Sequence, residues 1–295
     1  MITVSLKDVS KFYHGREALA KVSLKIDGSG IFCILGPNGS GKTTILKIVL
    51  GLIAPSTGEV VWQKDGSPLK KIDLLAFTGS LLEAPQFRSG IKSYQLLRLS
   101  CEMKGISDVQ GEISRVSELS RISQLLDREI STLSQGMLQR LLIANSFIGN
   151  PDLMILDEPT YGLDPESYDV TTGAIMKMRN EGKTILMTTH NLWEAENLSD
   201  FACIIVNPFN QQWIQPQTKG YAYLTLENKD LDKIKDLKYV RLAMQRKNIC
   251  TVAITAEEFY NNFTSCSGII KGYTFGSDLP LKYFQNYGPK LFKTQ

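Results

Sequence analysis

The run Gly36-Pro-Asn38-Gly39-Ser40-Gly41-Lys42-Thr43-Thr44 sets glycines, a lysine and hydroxyls in the spacing G-x-x-x-x-G-K-[ST]. Each residue type there has a task in holding a phosphate chain. Glycines let backbone N–H groups wrap the phosphates, and the N-terminus of a following helix adds its positive dipole end. Lys42 would reach the β- and γ-phosphates, and the Thr43 hydroxyl would bind Mg²⁺. The flanks give the motif its context. Ile31-Phe-Cys-Ile-Leu35 is an apolar run that reads as a buried strand, and Thr44-Ile-Leu-Lys-Ile-Val-Leu50 has apolar residues at helical spacing. Strand, loop and helix in that order imply a nucleoside-triphosphate site on Gly36, Asn38, Gly39, Ser40, Gly41, Lys42, Thr43 and Thr44.

Further along, Leu153-Met-Ile-Leu-Asp157-Glu158 puts two carboxylates after four apolar residues. Both acids then sit at the carboxyl end of a strand, where open α/β sheets bind ligands. Asp157 would hold Mg²⁺, and Glu158 is placed to orient and deprotonate a water in line with the γ-phosphate. Thr188-Thr189-His190 ends the next strand. A lone histidine commonly packs or faces solvent, but this one shares a sheet end with the acids. Leu133-Ser134-Gln135-Gly136-Met137 opens a helix, so Ser134 is either an ordinary N-cap or, with Gly136, part of a second anion site. Lys11-Phe-Tyr13-His-Gly15 offers an aromatic on a turn, which either stacks on adenine or packs as a strand residue.

The elements that must position these groups follow from periodicity. Residues 2–9 and 20–26 alternate apolar and polar, as antiparallel strands do, and 59–62 with Asp65-Gly66 reads as a hairpin. Residues 91–149 carry Leu and Ile at helical spacing. Then strands at 153–156, 184–188 and 202–206 alternate with helices at 165–180 and 192–198, which argues for a parallel sheet covered on both faces. From 221 onward the order is strand 221–226, helix 231–237, strand 239–244, strand 249–255, helix 257–263 and strand 269–275, a β-α-β-β-α-β unit of ferredoxin-like type.

Composition bounds the rest. The chain has 295 residues, 43% of them hydrophobic, enough for one large domain and a smaller one. A net charge of +3 is too mild to imply nucleic acid. The basic excess lies after residue 206, with 12 Lys+Arg against 7 Asp+Glu. That tail is either a solvated accessory domain or a surface for nucleic acid or anionic lipid. The five cysteines show no metal-binding spacing, and several lie in apolar runs, as reduced buried residues of a cytosolic protein do. The first residues lack a signal-peptide layout, and no apolar run nears the roughly 18 residues that span a bilayer.

This ordered set resembles the nucleotide-binding subunit of ATP-binding cassette (ABC) transporters. Walker A falls at Gly36 to Thr43, the signature at Leu133 to Met137, Walker B at Leu153 to Glu158, the D-loop at Gly162 to Asp164, and the switch histidine at His190. The resemblance implies a P-loop core over 1–206, with a parallel sheet, an antiparallel β subdomain and a helical subdomain at about 80–135, followed by the α+β domain 207–295. It implies ATP and Mg²⁺ as ligands, Lys42, Glu158 and His190 as catalytic groups, and Tyr13 against the base. Two subunits would sandwich each ATP, with Ser134 and Gly136 completing the partner's γ-phosphate pocket. The same likeness implies a homodimer on the cytoplasmic face of a membrane, bound to a separate permease subunit. Leu-Ser-Gln-Gly-Met with the βαββαβ tail looks like the efflux branch. A soluble ABC ATPase acting on nucleic acid or ribosomes is the rival. Only 115 residues and no sustained heptads separate Lys42 from Asp157, and there is a single cassette, so that rival is disfavoured and no nucleic acid is expected.

The sequence departs from the family pattern in three places. Gln135 stands where the signature commonly has glycine, and Asn207-Pro-Phe-Asn-Gln-Gln-Trp213 replaces the usual basic segment after the last core strand. The lid region Phe77-Thr-Gly-Ser-Leu-Leu-Glu83-Ala-Pro-Gln86 has glutamate where glutamine is usual, with Gln86 as competitor. Mg²⁺ prefers hard oxygen donors, so a carboxylate serves as well as an amide. Glu83→Ala is therefore expected to raise the free Mg²⁺ needed for turnover, whereas Gln86→Ala leaves it unchanged. ATPase rate against free Mg²⁺ for both variants checks this, and the opposite ordering moves the lid role to Gln86.

Overall fold

The computed structural model describes residues 1–82, 87, 89–205, 221–227, 242–246, 249–255 and 270–276. The chain divides into two compact units, Met1–Asn191 with Leu198–Trp213, and Leu192–Asn197 with Ile214–Gln295. In the first unit, β1 (Ile2–Tyr13), β2 (Arg16–Ile26), β4 (Thr57–Lys64) and β5 (Ser67–Pro68) form an antiparallel sheet in the order β2-β1-β4-β5. Strict alternation buries Ile2, Val4 and Leu6 on β1 and Val22, Leu24 and Ile26 on β2, as the period of a half-buried strand requires. The hairpin closes at His14 and Gly15, so β1 runs past residue 9 and carries Tyr13 on its last position.

The second sheet is parallel, in the order β6-β7-β8-β3-β9, from β3 (Gly30–Leu35), β6 (Thr78–Leu81), β7 (Leu153–Asp157), β8 (Thr184–Thr189) and β9 (Phe201–Ile204). Phe32, Ile34, Leu153, Ile155 and Leu186 face one core shared with β1, β2 and helix α1 (Lys42–Val49). Their neighbours of opposite parity, Ile31, Cys33, Met154, Leu156, Ile185 and Met187, are equally buried. Alternation along a strand sends these to the other face, so the sheet is covered on both sides. That is why its strands read as unbroken apolar runs.

Between α2 (Lys71–Leu74) and β7 lies the helical block: α3 (Ser93–Met103), α4 (Val109–Leu119) and α5 (Gln135–Ser146), packed on one another. Leu97 and Cys101 on α3 and Ile113 and Val116 on α4 are buried at i, i+4 and i, i+3 spacing. Lys104 tethers the block to the sheet, donating to the carbonyls of Thr78 and Ile148. After β7 come α6 (Pro165–Asn180), capped by the Asp164 carboxylate on the Ser167 N–H, and α7 (Leu192–Leu198).

The second unit holds an antiparallel sheet in the order β11-β12-β10-β13, from β10 (Tyr221–Glu227), β11 (Leu242–Arg246), β12 (Ile249–Thr255) and β13 (Ile270–Gly276). Consecutive β11 and β12 pair, while β10 separates β12 from β13, the order a split βαβ unit requires. The expected helices 231–237 and 257–263 lie outside the described residues, as does the segment 207–213.

One ion pair fixes the entry into β3. Asp200 Oδ2 accepts the Ile31 N–H at 2.9 Å and Arg179 Nε–H at 2.8 Å, with a second guanidinium contact to Oδ1. Arg179 first, then the Ile31 N–H, hold this carboxyl below its ordinary value. Its stabilisation is present above the ordinary carboxylate range and is lost as pH falls through the lowered folded value. Asp200→Ala strands a buried N–H and is expected to lower the unfolding free energy by about 1–3 kcal/mol at neutral pH. Urea titrations at falling pH should show the gap from wild type narrowing below about pH 4.

Candidate active site

Parallel register brings three strand ends side by side, pairing Leu35 with Thr189 and Asp157 with Thr188. The loop leaving β3 returns at Gly41, whose φ of 94° is open to glycine at little cost. A Cβ there would also meet Leu19 Cδ2 at 2.6 Å and the Ala18 carbonyl at 2.7 Å, so only glycine lets the loop lie this close to β2. Among the described residues no side chain caps α1, which leaves its first N–H groups to the loop's concavity.

Lys42, only 6% exposed, donates to the carbonyls of Gly36 at 2.8 Å and Pro37 at 3.2 Å, and its Nζ lies 3.1 Å from Glu158 Oε1. The Thr43 hydroxyl donates to Asp157 Oδ2 at 2.6 Å, and the Thr188 hydroxyl reaches Asp157 Oδ1. Thr188 Oγ1 also accepts the Glu158 N–H at 3.0 Å, and His190 Nδ1 meets Glu158 Oε2 at 2.5 Å.

A cavity of about 550 Å³ opens over these groups. Tyr13, Asn38, Gly39, Gly41, Lys42, Thr43, Thr44, Glu158 and His190 line it, together with Ala18 and Tyr161. Its size suits a small-molecule ligand. Gly36 and Ser40 belong to the loop behind it, where Ser40 Oγ is buried with no hydrogen-bond partner among the described residues, a donor left for an incoming oxygen. Asp157 touches the site through Thr43. Two neighbouring hard oxygens, a hydroxyl and a carboxylate, fit Mg²⁺, which takes few protein ligands and completes its shell with phosphate and water. Ser134 and Gly136 do not line this cavity. Ser134 caps α5, its Oγ accepting the Met137 N–H at 3.3 Å. Glu83 and Gln86 lie outside the described residues.

Two lining or supporting residues carried no signal of their own. Thr188 is visible in the sequence only as a strand residue, and its role depends on the one-to-one register with Asp157. Tyr161 is 63% exposed and meets the His190 ring edgewise, centroids 5.2 Å apart.

Residues 19–161 match the family model described as ABC transporter. An ABC transporter ATP-binding protein of Bacillus subtilis is 34% identical over 203 residues, 68% of this chain and 66% of that protein. The Nod factor export ATP-binding protein I of Cupriavidus metallidurans is 31% identical, covering 68% of this chain and 67% of its own. The lantibiotic transport ATP-binding protein SrtF of Streptococcus pyogenes is 33% identical over 67% of this chain and 84% of its own. The match thus spans about two thirds of the length of the first two relatives. A solved ATP-binding subunit of an ABC transporter superposes with a TM-score of 0.63 at 27% identity, over 72% of this chain and 89% of that one. A dimeric bacterial ABC transporter cassette shares the fold, with a TM-score of 0.64 at 23% identity over 72% of this chain and 98% of its own.

The double duty of Thr188 is testable. Thr188→Val keeps the β-branched shape but strands the Glu158 N–H and one Asp157 oxygen. It is expected to lower unfolding free energy by about 1–2 kcal/mol. Turnover should fall about tenfold with ATP affinity retained, as a misplaced base predicts. Steady-state ATPase kinetics with thermal unfolding check both, and unchanged kcat removes Thr188 from the site.

Proposed function

The chain belongs to the ABC transporter family, and from that premise we propose that it binds and hydrolyses ATP to power a separate membrane-embedded partner. The observation that carries this reading is the convergence of Lys42, Thr43, Asp157, Glu158 and His190 at the ends of three adjacent strands. A second reading, a soluble ATPase acting on nucleic acid, has no observation in its favour.

On this reading the triphosphate lies along the loop 36–43, with the N–H groups of α1 toward its charge and Tyr13 beside the base. Lys42 exchanges its two carbonyl partners for β- and γ-phosphate oxygens. Thr43 and Asp157 would hold Mg²⁺, with Glu83 as the lid ligand; the ion supplies charge neutralisation to the phosphates. Glu158 accepts a proton from the attacking water as the bond to the β-phosphate oxygen breaks, releasing ADP and phosphate. His190 fixes that carboxylate through Nδ1. The cavity holds one face of the nucleotide only, and Ser134 and Gly136 of a second subunit would close the other. A solved cassette of the same fold is a dimer, which supports that assembly. ATP then joins two subunits, hydrolysis releases them, and the cycle moves the permease.

Among the described residues no helix is long and apolar enough to cross a membrane. Membrane attachment on the cytoplasmic side therefore falls to the partner in this proposal. One relative is named for Nod factor export and another for lantibiotic transport, which supports an efflux role.

Glu158→Gln removes the base and keeps its shape. Turnover should fall by about 10²–10⁴-fold while ATP still binds and holds two subunits together. ATPase assays and size-exclusion chromatography with ATP check the pair of outcomes, and near-normal turnover would sink the assignment.

A further inference from the structure

Glu158 has a φ of 46°, a left-handed conformation uncommon for a residue with a side chain. Something must hold that turn, because the direction of the carboxylate depends on it. On one side Thr188 takes its N–H, and on the other its carbonyl accepts the Tyr161 N–H at 3.1 Å. The next residue is Pro159, which is buried and has no N–H, so its carbonyl is its one backbone handle. Gln139 on α5 takes that handle, Nε2 donating to Pro159 O at 2.7 Å.

The rest of the first turns of α5 lies against the same segment. Gln135 approaches Gly162 so closely that a Cβ there would sit 2.7 Å from its Nε2, and Gly162 itself has a φ of 71°. A Cβ on Gly136 would meet Ser167 Oγ at 2.4 Å and Asp164 Oδ2 at 2.7 Å. Contact therefore runs from Pro159 to the cap of α6. The helix that presents Ser134 and Gly136 is in this way fastened behind the turn that aims Glu158.

We propose that Gln139 is a positioning residue for Glu158 of its own subunit, tying the signature turn to the base-bearing turn so that the two shift as one body. Engagement of Ser134 and Gly136 by a partner's nucleotide is then felt at this subunit's own base. The proposal rests on the reading of Glu158 as the base.

Gln139→Met keeps the volume and removes the donor. It is expected to lower kcat about tenfold, with KM for ATP and ATP-driven dimerisation within about twofold of wild type. Gln139→Asn keeps the amide but withdraws it by one methylene, and should show the same split. Hydrogen exchange at the Tyr161 and Leu163 amides should quicken in both variants while α5 amides stay as in wild type. Mixing Gln139→Met with Glu158→Gln subunits separates cis from trans action. If Gln139 serves its own base, mixed dimers gain nothing. Recovery to the rate of dimers of wild type with the Glu158→Gln chain overturns the proposal. So does an unchanged kcat, or a joint collapse of kcat and ATP affinity. Failure of the wild-type chain to hydrolyse ATP would instead defeat the functional reading, because the Gln139 result is a ratio to wild type.

Discussion

Asp157 is bonded from both sides by hydroxyls that arrive on different elements, Thr43 from the start of α1 and Thr188 from the end of β8. That single carboxylate joins the phosphate loop, the acidic strand and the neighbouring strand into one rigid corner. It can do so because β7 pairs with β8 residue for residue and β8 pairs with β3 in the same way. A slip of one residue would turn Asp157 to the opposite face and separate it from both hydroxyls. The neighbouring candidate groups inherit their places from this corner: Glu158 is the next residue, and His190 follows the strand that supplies Thr188.

The corner works because the polar residues stop where the apolar ones end. Leu153 through Leu156 are fully buried, and the charge appears only at Asp157, where the strand leaves the core. Charged groups in such a half-buried position interact more strongly than they would in water, provided that each has partners. Lys42 has two carbonyls and Glu158, and Glu158 has Lys42 and His190. On the proposed function, a phosphate or a water takes over some of these contacts.

Much of this was legible in the sequence because it is local. The loop spacing, the apolar run before the acids and the 3–4 periodicity of α3 to α5 each act within a dozen residues. The four strands of the second unit were likewise readable from alternation and turns, and they fall within a few residues of expectation at 221–227, 242–246, 249–255 and 270–276. What escaped was nonlocal. Thr188 becomes a partner of Asp157 only through strand register, and Tyr161 meets His190 only because two loops converge. Gln139 and Pro159 are 20 residues apart, and nothing in either residue type announces their bond. Gln135, an oddity in the sequence, gains a physical setting only when Gly162 is seen beneath it.

The left-handed backbone at Glu158 has an evolutionary consequence. Glycine or asparagine would occupy that conformation more comfortably, so replacing the acid relieves strain as it removes the chemistry. Selection for stability alone would therefore drift away from glutamate at this position. Loss-of-function chains of this type would then tend to persist as well-folded, long-lived proteins rather than be cleared.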